Sequence, residues 1–149
     1  MRGNTQFPVA SHILALVGMV EHFENRMPTS KEIASSVNTN PVVIRRIIGL
    51  LKNSSLVHVR AGVGGVQLLR KPSDISLLDI YKAVQSEESP SVFDFHANVN
   101  LECPIGSQIN GVLSDKFQAA QIKLENELSQ HTLEDVMKEI AQKNNVSME

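Results

Sequence analysis

Two helix-start signals stand eleven residues apart, and they constrain the fold of this chain more than any other feature. Thr29-x-x-Glu32 is a capping box, in which a hydroxyl and a carboxylate each satisfy a backbone amide of an opening helical turn. Asn40-Pro41 is a second start, with Asn as the cap and proline at the first helical position, where no N–H is missed. Between them fits a helix of about two turns from Ser30, with Ile33, Ala34 and Val37 on one face; Asn38 and Thr39 break it. The next helix runs from Pro41 to about Asn53. It turns Val43 or Ile44, Ile47, Ile48 and Leu51 inward and keeps Arg45, Arg46, Gly49 and Lys52 mainly off that stripe. Two short helices joined by three or four residues make a helix-turn-helix.

The residues that follow extend the motif. "LVHVRA" alternates, "GVGG" is a turn, and "VQLL" is a second strand, so a hairpin wing follows directly, with Arg60 beside its glycine tip. Gly62, Gly64 and Gly65 allow positive φ or close approach to a groove. Upstream, Ile13, Leu16, Val17, Val20 and Phe23 mark one face of a helix over Val9 to Glu24. Downstream, Ser76-x-x-Asp79 starts a fourth helix with Leu77, Ile80, Tyr81 and Val84 inward. Residues 87–104 read as a loop. A long helix follows from about Ile105 to Leu128, with a seam at Ile109, Leu113, Phe117, Ala120, Leu124 and Leu128. The seam steps are close to a seven-residue repeat and predict packing against a second copy of the chain; a helix folded back on its own domain is the alternative. Thr132-x-x-Asp135 starts a last helix with Val136, Met137 and Ile140 inward. The fold class is mainly α with a small β-hairpin wing. Residues 1–86 form the winged helix-turn-helix domain, 87–104 the loop, 105–144 the dimerisation helix and the short last helix, and 145–149 a disordered tail.

Composition enters through its distribution. The net charge of −2 argues weakly against nucleic acid, yet residues 31–72 carry seven bases (Lys31, Arg45, Arg46, Lys52, Arg60, Arg70, Lys71) and one acid, Glu32. Residues 73–149 are net −8. An electropositive face followed by an acidic body fits a nucleic-acid partner; a solvated surface is the bland alternative. No apolar run approaches the roughly 20 residues of a bilayer span, no signal peptide is read, and one cysteine fits a reducing cytosol, so a cytoplasmic protein without a membrane partner is expected. There is no phosphate loop, no His-x-x-x-His pair and no Gly-x-Ser-x-Gly elbow, so no enzyme is expected.

Double-stranded DNA is the expected partner, because an α-helix fits the major groove and its first turn meets base edges. The candidate contacts on the third helix are Thr39, Asn40, Val42, Val43, Arg45 and Arg46. Val42 or Val43 suits a thymine methyl, and Arg46 and Arg45 suit guanine or phosphate. Arg60, with Gly64 in the wing, suits the minor groove or a phosphate. Thr29, Ser30 and Lys31 suit phosphates at the start of the second helix. The rival reading is a winged helix that binds only protein.

The segments "SVNTNPVVIRRIIGLLK", "RAGVGG", "DISLLDIYKAVQ" and "CPIG" together resemble the Rrf2 family of bacterial winged-helix regulators over about residues 7–140. The resemblance implies a homodimer joined through the long helix, a partly palindromic operator and repression. It also implies DNA contacts at Asn40, Val42, Val43, Arg45, Arg46 and Arg60. Cluster-binding members carry three cysteines before the dimerisation helix. Here only Cys103 is present, matching the middle one; Ile109 stands six residues on, and His96 lies near the first position. One thiolate and one imidazole are too few for an ordinary cluster, so neither an iron–sulfur cluster nor any other metal or cofactor is expected, and 87–104 reads as a remnant of a cluster loop. Two readings of Cys103 stay open: a redox-sensing thiolate near a helix start, or a spectator. A small-molecule or oxidant effector remains compatible with either.

Overall fold

The signals read from the sequence become built caps in the computed structural model, which describes residues 5–62, 64–85 and 91–148. Helix α1 spans Gln6–Glu24, α2 Ser30–Val37 and α3 Pro41–Asn53. Thr29 Oγ1 accepts from the Glu32 amide at 3.1 Å, and Glu32 Oε2 accepts from the Thr29 amide at 2.7 Å. Asn40 Oδ1 caps α3 by accepting from the Val42 amide at 2.9 Å. Asn38 closes α2 in the left-handed region and sends the chain into the turn. Removing a cap of this kind costs about 1 kcal/mol. Thr29→Ala is therefore expected to lower the unfolding free energy by that amount, read as a lower urea midpoint at an unchanged denaturant slope.

Strands β1 (Val57–Val59) and β2 (Val66–Leu68) pair antiparallel, with Val57 opposite Leu68 and Val59 opposite Val66. Gly62 and Gly64 take φ of 87° and 76° in the turn between them, a region that side chains disfavour. A short 3-10 turn (Pro72–Asp74) leads to α4 (Leu77–Ala83), then α5 (Ile109–Ser129) and α6 (Leu133–Lys143). The core joins Ile13, Leu14 and Val17 of α1 to Ile33, Ile44, Ile47 and Leu51. Val57 and Val66 of the hairpin and Ile80 of α4 complete it. Among the described residues no helix is long and apolar enough to cross a membrane.

Several expected details change. Helix α1 begins at Gln6, not Val9, and buries Ala10 and Leu14, whereas Phe23 is 44% exposed. The reason is that α1 is wrapped by α2, α3, α4, β2 and α6 and needs a broad apolar face, not a single stripe. The long helix starts at Ile109, because residues 101–108 form successive turns. In α6 the buried positions are Leu133, Met137 and Ala141, and Ile140 is exposed.

The destination of α6 also differs from its grouping with the long helix. Ser76 and Thr132 form an isolated antiparallel bridge. The Leu77 amide donates to His131 O and the Leu133 amide to Ile75 O, both at 2.8 Å. These bonds return α6 to the core of the winged unit, where Leu133 and Met137 are fully buried. Residues 144–148 fold back over α6: the Val146 amide donates to Ala141 O at 2.9 Å, and Met148 packs against the core.

Candidate nucleic-acid interface

The start of α2 and the wing are joined by backbone. The Ser30 amide donates to Gly64 O at 3.0 Å, the Val66 amide to Pro28 O at 3.1 Å, and Thr29 bridges Gly65. Such bonds fix the wing's direction relative to the helix-turn-helix without using side chains that would face a ligand. Sequence reading missed this join, because bridges between distant backbone segments leave no mark in residue type.

The candidate side chains divide into exposed groups and groups already engaged. Lys31, Thr39, Arg45, Arg46 and Arg60 are exposed, and Val42 is 65% exposed at the first turn of α3. Val43 turns inward and packs against the core, so of the two valines only Val42 presents its methyls outward. Thr29 and Asn40 spend their side-chain oxygens on caps. Ser30 Oγ donates to Gly64 O at 3.3 Å. Gly64 sits at the wing's turn, where a Cβ would lie 3.5 Å from Ser30 Oγ.

The two arginines of α3 differ. With the Gln6 amide oriented to satisfy both neighbours, its oxygen accepts from Arg46 Nη2 and its nitrogen donates to Val84 O, each at 3.0 Å. Arg46 therefore also ties α3 to the start of α1. Arg45 makes no hydrogen bond or ion pair among the described residues. Arg60 lines a small groove with Arg26, Met27, Thr29 and Gly65.

Arg26, which the sequence reading did not single out, donates to Glu32 at 2.9 Å and to Glu24 at 3.3 Å. Its hydrogen bond holds the Glu32 carboxylate below the ordinary range, helped by the Thr29 amide. A depressed carboxylate stabilises the fold above its unfolded pKa, and that contribution disappears as pH falls through the folded value. The thermal midpoint should accordingly drop as pH falls through the ordinary glutamate range, about 4.3, and below it, and Glu32→Gln should flatten part of the drop.

Helix α5 has no buried residue. Of the expected seam, Ile109, Leu113, Phe117, Leu124 and Leu128 are half-buried and Ala120 is exposed. Part of that face is covered by the chain itself. Phe93 and Phe95 lie on Phe117 with ring centroids 5.0 and 5.5 Å away, and Gln121 donates to Tyr81 Oη at 3.3 Å. A second apolar flank, Val112, Ala119 and Ile122, is exposed; its 7- and 3-residue spacing was legible but lay outside the chosen seam.

Cys103 lies in the turns before α5, six residues ahead of its first residue. Hydrogen bonds from the Gly106 amide, and then Ile105, hold the thiol below its ordinary range. Gly106 is required there, since a Cβ would come within 2.5 Å of Asn100 O.

Residues 4–139 match the sequence model of the Rrf2 family, described as iron-dependent transcriptional regulators. YwnA of Bacillus subtilis (strain 168), provisionally named an HTH-type transcriptional regulator, is 46% identical over 134 residues, 90% of this chain and 96% of that protein. The crystal structure of a protein provisionally titled as DNA-binding is 43% identical, with a TM-score of 0.70 over 89% of this chain and 99% of the other. T. potens IscR shares the fold at a TM-score of 0.69 and 22% identity, over 96% of this chain and 90% of its own. The iron in the family description finds no matching donor set among the described residues. Cys103 is the one cysteine of the chain, and no three His, Cys, Asp or Glu side chains among the described residues are grouped to hold a metal. The resemblance read from the helix-turn-helix, the wing and the "CPIG" loop is thus borne out, and the chain belongs to the Rrf2 family of transcriptional regulators.

Proposed function

We propose that this chain regulates transcription by binding duplex DNA as a homodimer, and that it acts as a repressor. One observation carries the reading: the start of α2 and the wing are joined by backbone bonds, and the first turn of α3 that follows α2 presents Val42 exposed, in a chain whose relatives are regulators. Val42 and Arg45 enter the major groove, Arg60 reaches the adjoining backbone or minor groove, and Lys31 holds a phosphate. The absence of buried residues on a 21-residue α5 supports a second copy packing there, across Leu113, Leu124 and the Val112–Ala119 flank. A two-fold pair of recognition helices then meets half-sites about one helical turn apart, or a multiple of it.

Fluorescence anisotropy with the reduced protein and the DNA upstream of its own gene tests this reading. Saturable binding, on the order of a thousandfold tighter than to a scrambled duplex, is expected. Equal, weak binding to both at every salt concentration counts against it. Cys103 is the proposed redox-responsive group, supported by its lowered pKa. Mild oxidation should then alter operator affinity in the native protein and leave Cys103→Ser unaffected.

A further inference from the structure

A cavity of about 550 Å³ opens between α1, the end of β2, the 3-10 turn and α6, away from the proposed DNA face. Its volume lies in the range of small-ligand sites. The apolar wall comes from Leu68, Pro72, Met137 and Met148. Met137 is fully buried in the core, and Met148 arrives because residues 144–148 fold back over α6. Several charges line the rim, and most are already matched. Lys138 pairs with Glu134 at 2.6 Å, and Arg70 pairs with Asp79 at 3.4 Å. His22 stacks edge-on against Phe23. Two opposite charges, Glu21 and Lys71, have no ion pair among the described residues.

An apolar wall with one unmatched acid and one unmatched base at its rim complements a molecule of the same pattern. We infer that the cavity is an effector site for a small zwitterion with an apolar body, the chemistry of an apolar dipeptide. Glu21 takes the ammonium, Lys71 takes the carboxylate, and the aliphatic side chains lie against Met137 and Met148. The consequence for transcription rests on the regulator reading above. The wall residue Leu68 ends the strand that returns from the wing, and Met137 belongs to the helix that follows α5. Filling the cavity therefore bears on both the wing and the arm proposed to dimerise.

The test titrates L-leucyl-L-leucine into full-length protein carrying ¹³C-methyl methionine. The Met137 and Met148 methyl signals should shift saturably with dipeptide concentration. Glu21→Gln and Lys71→Gln are both exposed and should fold normally. Each should weaken the dipeptide by about fivefold, and N-acetylation of the dipeptide should reproduce the Glu21→Gln loss. The dipeptide should also change operator affinity by about fivefold or more. Unmoved Met137 and Met148 signals, or wild-type affinity in both variants, would overturn the site. So would shifts that follow protein dilution and ignore the dipeptide, because a second copy would then fill the cavity. Methyl shifts with unchanged operator affinity would overturn the effector role. A protein that fails to bind DNA altogether still reads the cavity through its methyls, so the two failures are distinguishable.

Discussion

Replacing Arg45 with alanine is expected to weaken operator binding by about 1–3 kcal/mol and to relax base preference at one position of each half-site. The guanidinium stands exposed one turn into α3, without a partner among the described residues, and can pair with guanine bidentately. Arg46→Ala is expected to behave differently. Its guanidinium is shared with Gln6, so truncation also removes a link between α3 and α1, and part of the loss should appear as a lower melting temperature. Lys31→Ala should weaken all DNA alike and reduce the slope of log affinity against log salt by about one. Competition binding with single-base variants of the operator separates the three. Unchanged affinity and preference in all three variants would mean that α3 and the start of α2 face away from the DNA.

Leu113→Asp is the second large effect. Helix α5 offers a half-buried stripe, covered in part by Phe93 and Phe95, and an exposed flank, and nothing among the described residues completes their burial. An aspartate placed in a desolvated helix pair is left unpaired. It should cost on the order of 3 kcal/mol, about a hundredfold in the dimer constant. Small-angle scattering should then report a monomer at concentrations where the native protein is a dimer. Operator affinity should fall with it, because one recognition helix loses its partner on the duplex. Ile122→Asp lies farther round the helix and should disturb the dimer less. A monodisperse Leu113→Asp dimer would remove the stripe from the interface.

What was legible in the sequence was local. Thr29-x-x-Glu32, Asn40-Pro41, Ser76-x-x-Asp79 and Thr132-x-x-Asp135 each specify a helix start within four residues, and all four became caps. The glycines of the wing likewise announce a turn that needs positive φ. Properties set by distant partners were not legible. Leu14 is buried and Phe23 exposed because five elements decide which faces of α1 are covered. The return of α6 to the core depends on the bridge between Ser76 and Thr132, 56 residues apart and made by backbone groups common to every residue type. At the candidate interface, the sequence identified the basic residues but not their engagement. Only the structure separates Arg45 from Arg46 and outward Val42 from inward Val43.

Selection of binding sites from a random duplex pool, with the reduced full-length protein at near-physiological salt, tests the central claim most directly. The account expects one enriched motif with two-fold symmetric halves spaced by about one helical turn or a multiple, relaxed at one position of each half when Arg45 is alanine. Recovered duplexes with no shared motif, bound no more tightly than the starting pool, would contradict it.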